Sequence, residues 1–146
     1  MRLSIRKVDS LEKEQVVLEC VEMNEDFEDI RKYVLMKDDT ILGYIDEKVY
    51  QIPLAEILYF EAVGEQVFAY TTDNLYSIKN RLYELEALYS DRKFIRCSKS
   101  MVVNIMKIES FRPAMESRFY AKMTNGEDII ISRMYAKNLK KKLMEG

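Results

Sequence analysis

Apolar and polar positions alternate with a period of two along most of this chain, and from residue 40 onward that period dominates. Ile41-Leu-Gly-Tyr-Ile45 and Val49-Tyr-Gln-Ile52, closed by Asp46-Glu47-Lys48, predict a hairpin. Pro53 interrupts the pattern. Ile57 to Ala62 predicts a strand, and Val63-Gly64-Glu65-Gln66 a loop with the glycine that a turn needs. Val67 to Thr71 and Tyr76 to Ile78 predict two strands around Thr72-Asp73-Asn74. The stretch Phe94 to Asn104 begins apolar, turns polar and basic at Ser98-Lys99-Ser100, and ends as a β-branched run. That is the pattern of strand, short loop and strand. Lys107 to Phe111 and Arg118 to Met123 suit strands joined by a loop at 112–117. Asn125-Gly126, the strongest hairpin signal here, predicts a type I′ turn before the strand Ile129 to Ile131.

Three stretches change period. Asn24 suits an N-cap, with Glu25, Asp26, Glu28 and Asp29 in the first turn. Phe27, Ile30 and Val34 share a helical face, and Glu28 with Lys32 is an i,i+4 pair. This helix is predicted to reach about Met36, with Asp38-Asp39 ending it. Asn80 is placed to cap a short helix over 81–89 that presents Leu82, Leu85, Leu88 and Tyr89. Ser132 is placed to cap a last helix, with Tyr135, Leu139 and Leu143 on one face and Lys137, Lys140, Lys141 and Lys142 largely off it. Ahead of the first helix, Leu3 to Val8 and Gln15 to Glu22 suit two short strands. The fold class is therefore mostly β (α+β). A β-β-α segment occupies residues 1–39, too short to bury an independent core, and a β-rich domain with a C-terminal helix occupies 40–146.

At 146 residues, 48% hydrophobic and 33% charged, the chain can build a core and stay in solution. Four Gly and two Pro argue against long linkers. The net charge of −2 does not announce a nucleic-acid binder, but its distribution is uneven. Residues 1–78 hold 8 Lys/Arg and 17 Asp/Glu, whereas residues 79–146 hold 15 and 8. This hints at a polyanion-binding surface in the second half, or at a charged surface serving solubility alone. Cys20 and Cys97 have no metal-ligand or CxxC spacing, so buried free thiols are expected, with redox sensing at Cys97 the lesser alternative. The N-terminus has no apolar signal-peptide core, and no run approaches the length of a membrane span. The chain reads as a cytoplasmic, soluble protein.

Catalysis fares poorly. Histidine, the commonest general base and metal ligand, is absent. No Gly-rich phosphate loop, Gly-x-Ser-x-Gly or zinc pattern occurs, so no enzymatic activity, catalytic residue, metal, cofactor or small-molecule substrate is expected. The tyrosines fit packing positions. Lys140-Lys-Lys142 suits a polyanion, or simply the C-terminus of a helix, where cations are favourable. In two places a hydroxyl precedes a cation at the end of an apolar strand: Ser98-Lys99 and Ser132-Arg133. On a rigid sheet such groups suit phosphates or base edges, although each loop alone also reads as a solvated turn.

Four segments, in order and at matching spacing, resemble the LytTR DNA-binding domain of bacterial transcription regulators from about residue 49 to 144. They are Ile52-Pro-Leu-Ala-Glu-Ile-Leu-Tyr-Phe-Glu-Ala62; the Tyr76 strand with Leu82-x-x-Leu-Glu86; Phe94-Ile-Arg-Cys-Ser-Lys-Ser-Met-Val-Val-Asn104; and Asn125-Gly126 through Ile131-Ser-Arg-Met-Tyr135 with Leu139 and Leu143. The third is similar to the family's Phe-x-Arg-x-His-Arg-Ser-x-Ile-Val-Asn. The resemblance implies an elongated, mostly β fold that inserts loops, not a recognition helix, into successive major grooves of double-stranded DNA.

Carried over by position, the contacts are the loop Gly64-Glu65-Gln66, the loop Ser98-Lys99-Ser100, and Arg133. Arg133 suits a bidentate bond to a guanine edge, worth about 1–3 kcal/mol of discrimination. Lys99 suits the same edge less specifically, or a phosphate. Gln66 suits an adenine or a phosphate oxygen, and Ser100 positions the backbone. Arg96 supports the loop or contacts a phosphate. Ser98-Lys99 stands where many members have His-Arg, so a cation is kept but the planar fork of arginine is lost. Glu65 either accepts from a cytosine amine or points away.

Only about 48 residues precede the match, too few for a receiver domain, so the chain resembles the compact subgroup of the family. Members of that subgroup often sit beside a small inhibitory membrane protein. The acidic segment 1–37 is thus expected to mediate homodimerisation, to bind such a partner, or to complete the sheet as a cap. The function implied is a sequence-specific transcription regulator, dimeric on paired direct repeats. The rival is a protein-interaction module or anti-activator that kept the fold and lost specific DNA binding, which the low net charge and Glu65 favour slightly and the retention of Lys99 and Arg133 disfavours.

Overall fold

The computed structural model describes the backbone of residues 1–144 and the side chains of all of these except 35–38 and 144. Two units divide the chain, Met1–Asp39 and Thr40–Gly146.

In the first unit, α1 (Glu25–Asp38) begins at Asn24, whose side-chain oxygen accepts the Phe27 N–H at 3.0 Å. Its ion pair joins Glu28 to Arg31 at 3.4 Å rather than to Lys32. The two strands expected over 3–8 and 15–22 do not form. These stretches are coil around one 3₁₀ turn, Leu11–Lys13, and Leu3, Ile5, Val16, Val17 and Val21 are exposed. Alternation favours an extended backbone, but a strand exists only through a paired neighbour. Among the described residues neither stretch has one. Cys20 is exposed rather than buried, for the same reason.

Among its described residues the second unit is built on ten strands. They are β1 (Thr40–Ile45), β2 (Lys48–Pro53), β3 (Tyr59–Val63), β4 (Gln66–Tyr70), β5 (Leu75–Ile78), β6 (Phe94–Ser98), β7 (Met101–Asn104), β8 (Ile108–Pro113), β9 (Phe119–Met123) and β10 (Asp128–Ile131). The first seven make one antiparallel sheet in the order β2-β1-β5-β4-β3-β7-β6, and the last three a second in the order β10-β9-β8. Two helices complete it: α2 (Leu82–Leu88) and α3 (Arg133–Met144).

The paired apolar residues in β3, β6 and β7 have a simple cause: the larger sheet is covered on both faces at these strands. Successive side chains point to opposite faces. Phe60, Phe94 and Val102 therefore enter one core with Leu82 and Leu85 of α2. Their neighbours Tyr59, Ile95 and Val103 enter a second core with Ala121, Met123, Ile129 and Ile131 of the smaller sheet and Ala136 and Leu139 of α3.

Asn104 ties the middle together. It is the buried polar side chain among the described residues. Its amide donates to the Ile57 carbonyl at 2.9 Å, and its oxygen accepts the Met106 N–H at 3.0 Å. The end of β7 is thereby fixed to the approach of β3. Beside it, Tyr59 and Tyr70 stack at 4.5 Å between ring centres. The Tyr59 hydroxyl donates to Glu127 at 3.0 Å and the Tyr70 hydroxyl to Glu61 at 2.9 Å. Burial first, and then the bond to Glu61, pushes the Tyr70 hydroxyl up to about 12; Tyr59 is also raised, by burial and by Glu127.

Two local expectations are corrected. The short mid-chain helix is capped at Arg81, not Asn80: the Glu84 carboxylate accepts the Arg81 N–H at 2.9 Å, and the Glu84 N–H donates to the Arg81 carbonyl. The β9–β10 turn is not type I′. Gly126 alone of the Asn-Gly pair has positive φ, at 89°, and its N–H donates to the Met123 carbonyl at 2.8 Å. Thr124 and Asn125 thus form the turn and Gly126 takes the left-handed position, a three-residue loop instead of a two-residue one.

Asn104→Ala is expected to lower stability by about 2 kcal/mol, because it leaves a buried carbonyl and an N–H without partners. The midpoint of urea unfolding measures this, and an unchanged midpoint contradicts it. The raised tyrosines make a second prediction. Their stabilisation is complete below pH 10, the ordinary tyrosine value, and is lost as pH rises toward the folded value of about 12 for Tyr70. Tyr70→Phe should flatten the fall in stability over that alkaline window.

Candidate nucleic-acid interface

Strand register brings the two expected contact loops together. β3 pairs antiparallel with β4 on one side and β7 on the other. The turn Gly64-Glu65 after β3 and the turn Lys99-Ser100 before β7 therefore lie at the same end of the sheet. The Ala62 N–H joins them, donating to the Ser100 carbonyl at 2.8 Å. Gly64 has a φ of 63°, a conformation that a side chain would strain. Gln66 opens β4 and is exposed.

A bulge brings in the third point. Arg96 faces Val102 and Ser98 faces Met101, so Cys97 is the extra residue in β6. Its carbonyl accepts the Ser132 N–H at 2.9 Å, which fixes the β10–α3 junction, and with it Arg133, beside the β6–β7 turn. Ser132 does not cap α3 through its hydroxyl, as its position suggested. Its carbonyl takes the Tyr135 and Ala136 N–H groups at 3.1 and 3.0 Å, while its Oγ is buried without a partner among the described residues.

The side chains divide into those that build the turn and those that leave it. The Arg96 guanidinium is turned inward, its side chain 18% exposed. Its Nε donates to the Ser98 carbonyl at 2.8 Å, one terminal nitrogen donates to the Lys99 carbonyl, and the other pairs with Glu86 at 3.0 Å. Of the two roles open to Arg96, loop support is the one these bonds perform. Ser98, half-buried, accepts the Ser100 N–H at 3.3 Å through its hydroxyl. Lys99, Ser100, Gln66 and Arg133 are exposed.

A cleft of about 500 Å³ opens between the two turns and the start of α2, and Glu65, Gln66, Arg81, Tyr83, Arg96 and Lys99 line it. Arg81 and Tyr83 carried no local sequence signal. Their place follows from the fold, which sets α2 against β3 and β7 through Leu82 and Leu85.

Two features of the charge reading change. Lys140 rests 4.1 Å from the centre of the Phe119 ring, so part of the lysine cluster packs on the protein itself. Cys97 is buried, and that burial pushes its thiol up to about 12, the opposite of the exposed, low-pKa thiol that redox sensing needs.

Residues 47–144 match the family model of the LytTr DNA-binding domain. The chain is 34% identical over 125 residues to an uncharacterized HTH-type transcriptional regulator of Staphylococcus aureus (strain NCTC 8325 / PS 47), covering 83% of each chain. It is 35% identical over 111 residues to a protein of the same description from strain MSSA476, covering 75% of this chain and 74% of that one. Among solved structures it resembles the LytTr DNA-binding domain of a Bacillus cereus protein described as a methyl-accepting/DNA response regulator. There the TM-score is 0.69 at 27% identity, over 73% of this chain and 97% of that chain. The term HTH belongs to those relatives' names. Among the described residues here, no two α-helices are joined by a turn; strands separate α1, α2 and α3.

Arg96→Ala is expected to lower stability by about 2 kcal/mol, the scale of charge-assisted bonds lost at a half-buried site. It should also speed amide exchange at Ser100, while Glu86→Gln does so more weakly. Unchanged exchange at Ser100 in a folded Arg96→Ala variant contradicts the supporting role.

Proposed function

The chain belongs to the LytTr DNA-binding domain family, and on that membership we propose that it is a transcription regulator that binds duplex DNA sequence-specifically, as a homodimer on paired direct repeats in the cytoplasm. One observation carries this reading: two turns and a strand–helix junction meet at one end of a rigid sheet, with Gln66, Lys99, Ser100 and Arg133 exposed. The B-DNA major groove is about 12 Å wide and admits a two-stranded ribbon such as β6–β7 with its turn.

The roles follow from side-chain chemistry. Arg133 makes paired bonds to the O6/N7 edge of a guanine. Lys99, a point charge on a flexible stem, takes a guanine edge or a phosphate with less geometric selectivity than an arginine would. Gln66 bonds an adenine edge or a phosphate oxygen. Ser98 and Ser100 shape the turn, and Arg96 holds it from behind instead of touching DNA. Residues 1–39 mediate pairing of two chains or capture by a small inhibitory membrane protein. The apolar side chains exposed along their coil support a partner-binding role.

The rival, a module that has lost specific DNA binding, draws on Glu65, a carboxylate on the cleft between the two turns. Titration of DNA by fluorescence anisotropy separates the two. The proposal expects log K to fall linearly with log salt at a slope of about −0.9 per neutralised phosphate. Lys99→Ala and Arg133→Ala should cost about 1–3 kcal/mol on the preferred site and much less on random duplex. Two chains should bind each paired-repeat duplex. Equal losses on both DNAs would demote the two side chains to phosphate contacts, and absence of binding by the folded native protein would favour the rival.

A further inference from the structure

Residues 40–146 contain six arginines, and their partners sort them. Arg92 pairs with Asp91, Arg96 with Glu86, Arg112 with Asp128 and Arg118 with Glu116. Among the described residues no hydrogen bond or ion pair engages the guanidinium of the remaining two, Arg81 and Arg133. Arg133 is the expected base reader. Arg81 is exposed and lines the cleft between the two contact turns, together with Gln66 and Lys99.

The local geometry keeps Arg81 available. Glu84, the nearest acid in sequence, spends its carboxylate on the Arg81 backbone N–H at 2.9 Å. Glu86, two residues further along α2, is held by Arg96 at 3.0 Å. The cleft is lined by the cations Arg81, Arg96 and Lys99 against the single carboxylate Glu65. With Arg96 already paired, Arg81 and Lys99 are the charges left to meet an anion. The cleft is open to solvent, so a group on a passing strand can reach these charges.

We propose that Arg81 is a DNA-backbone contact: its guanidinium clamps one phosphate at the cleft while the flanking turns enter the groove. This rests on the DNA-binding reading above and adds to it a fixed point that sets how deeply the turns enter. A planar guanidinium suits two phosphate oxygens at once. A phosphate contact carries no sequence information, so Arg81 should contribute alike on every duplex.

The experiment is a salt titration of the full chain on its preferred site and on random duplex, comparing native protein with Arg81→Ala and Arg81→Lys. The bond from the Arg81 N–H to Glu84 is made by the backbone, so the alanine variant keeps the α2 cap; circular dichroism verifies its fold. Arg81→Ala should weaken both DNAs by the same factor. It should also make the slope of log K against log salt shallower by about 0.9, so the native protein's advantage shrinks about threefold between 50 and 200 mM salt. Arg81→Lys should restore the slope. An unchanged slope with native binding intact overturns the phosphate clamp alone. A loss confined to the preferred site also overturns it, by making Arg81 a base contact. If the native protein binds neither duplex, the DNA-binding reading and the clamp fall together.

Discussion

Burial on both faces of β3, β6 and β7 is the constraint on which the second unit depends. The pairs Tyr59/Phe60, Phe94/Ile95 and Val102/Val103 each send one side chain to either core. A large apolar side chain is worth about 1.5–3 kcal/mol when fully buried. A one-residue slip in register would exchange every such pair between two differently shaped cores. The register is therefore strongly fixed, and Asn104 fixes it again through its bond to Ile57. Because β3 has β4 and β7 as antiparallel neighbours, that same register puts the Gly64-Glu65 and Lys99-Ser100 turns at one end.

From there the interface follows with few further parts. Removal of Cys97 from the β6–β7 ladder frees a carbonyl, and that carbonyl receives the start of α3. Arg96 bonds the carbonyls of Ser98 and Lys99 from within, so the backbone of the turn is held while the Lys99 side chain stays outside. A reading surface needs this division. The groups that meet base edges must be exposed, yet their backbone must be rigid enough that little order is lost on binding. A change of side chain at 99 would alter the outer group and leave the inner support in place.

Much of this was legible in the sequence because period-two alternation, turn residues and the Phe94–Asn104 segment all depend on local chemistry. The strands from 40 to 131 follow that pattern within a few residues. What failed depended on partners. Leu3–Val8 and Gln15–Glu22 have strand-like alternation, but alternation cannot state whether a neighbour exists. Ser132 stands where an N-cap should, yet its hydroxyl is buried away from the N–H groups and only its carbonyl serves the helix. Asn125-Gly126 is a turn, but the loop is one residue longer than the dipeptide implied. Arg96 left two roles open, and only the position of Glu86 and the two carbonyls separates them. Arg81 gave no signal, since being an unpaired arginine is a property of the folded surface and not of a motif.

The central claim is that these converging turns read a DNA sequence, and selection from a random duplex pool by the native chain tests it most directly. The account predicts enrichment of a short motif that recurs in direct orientation, at a spacing near one helical turn of about 10.5 base pairs or a multiple of it. A folded protein that enriches no motif at moderate salt would contradict it, and the scaffold would then serve a protein partner.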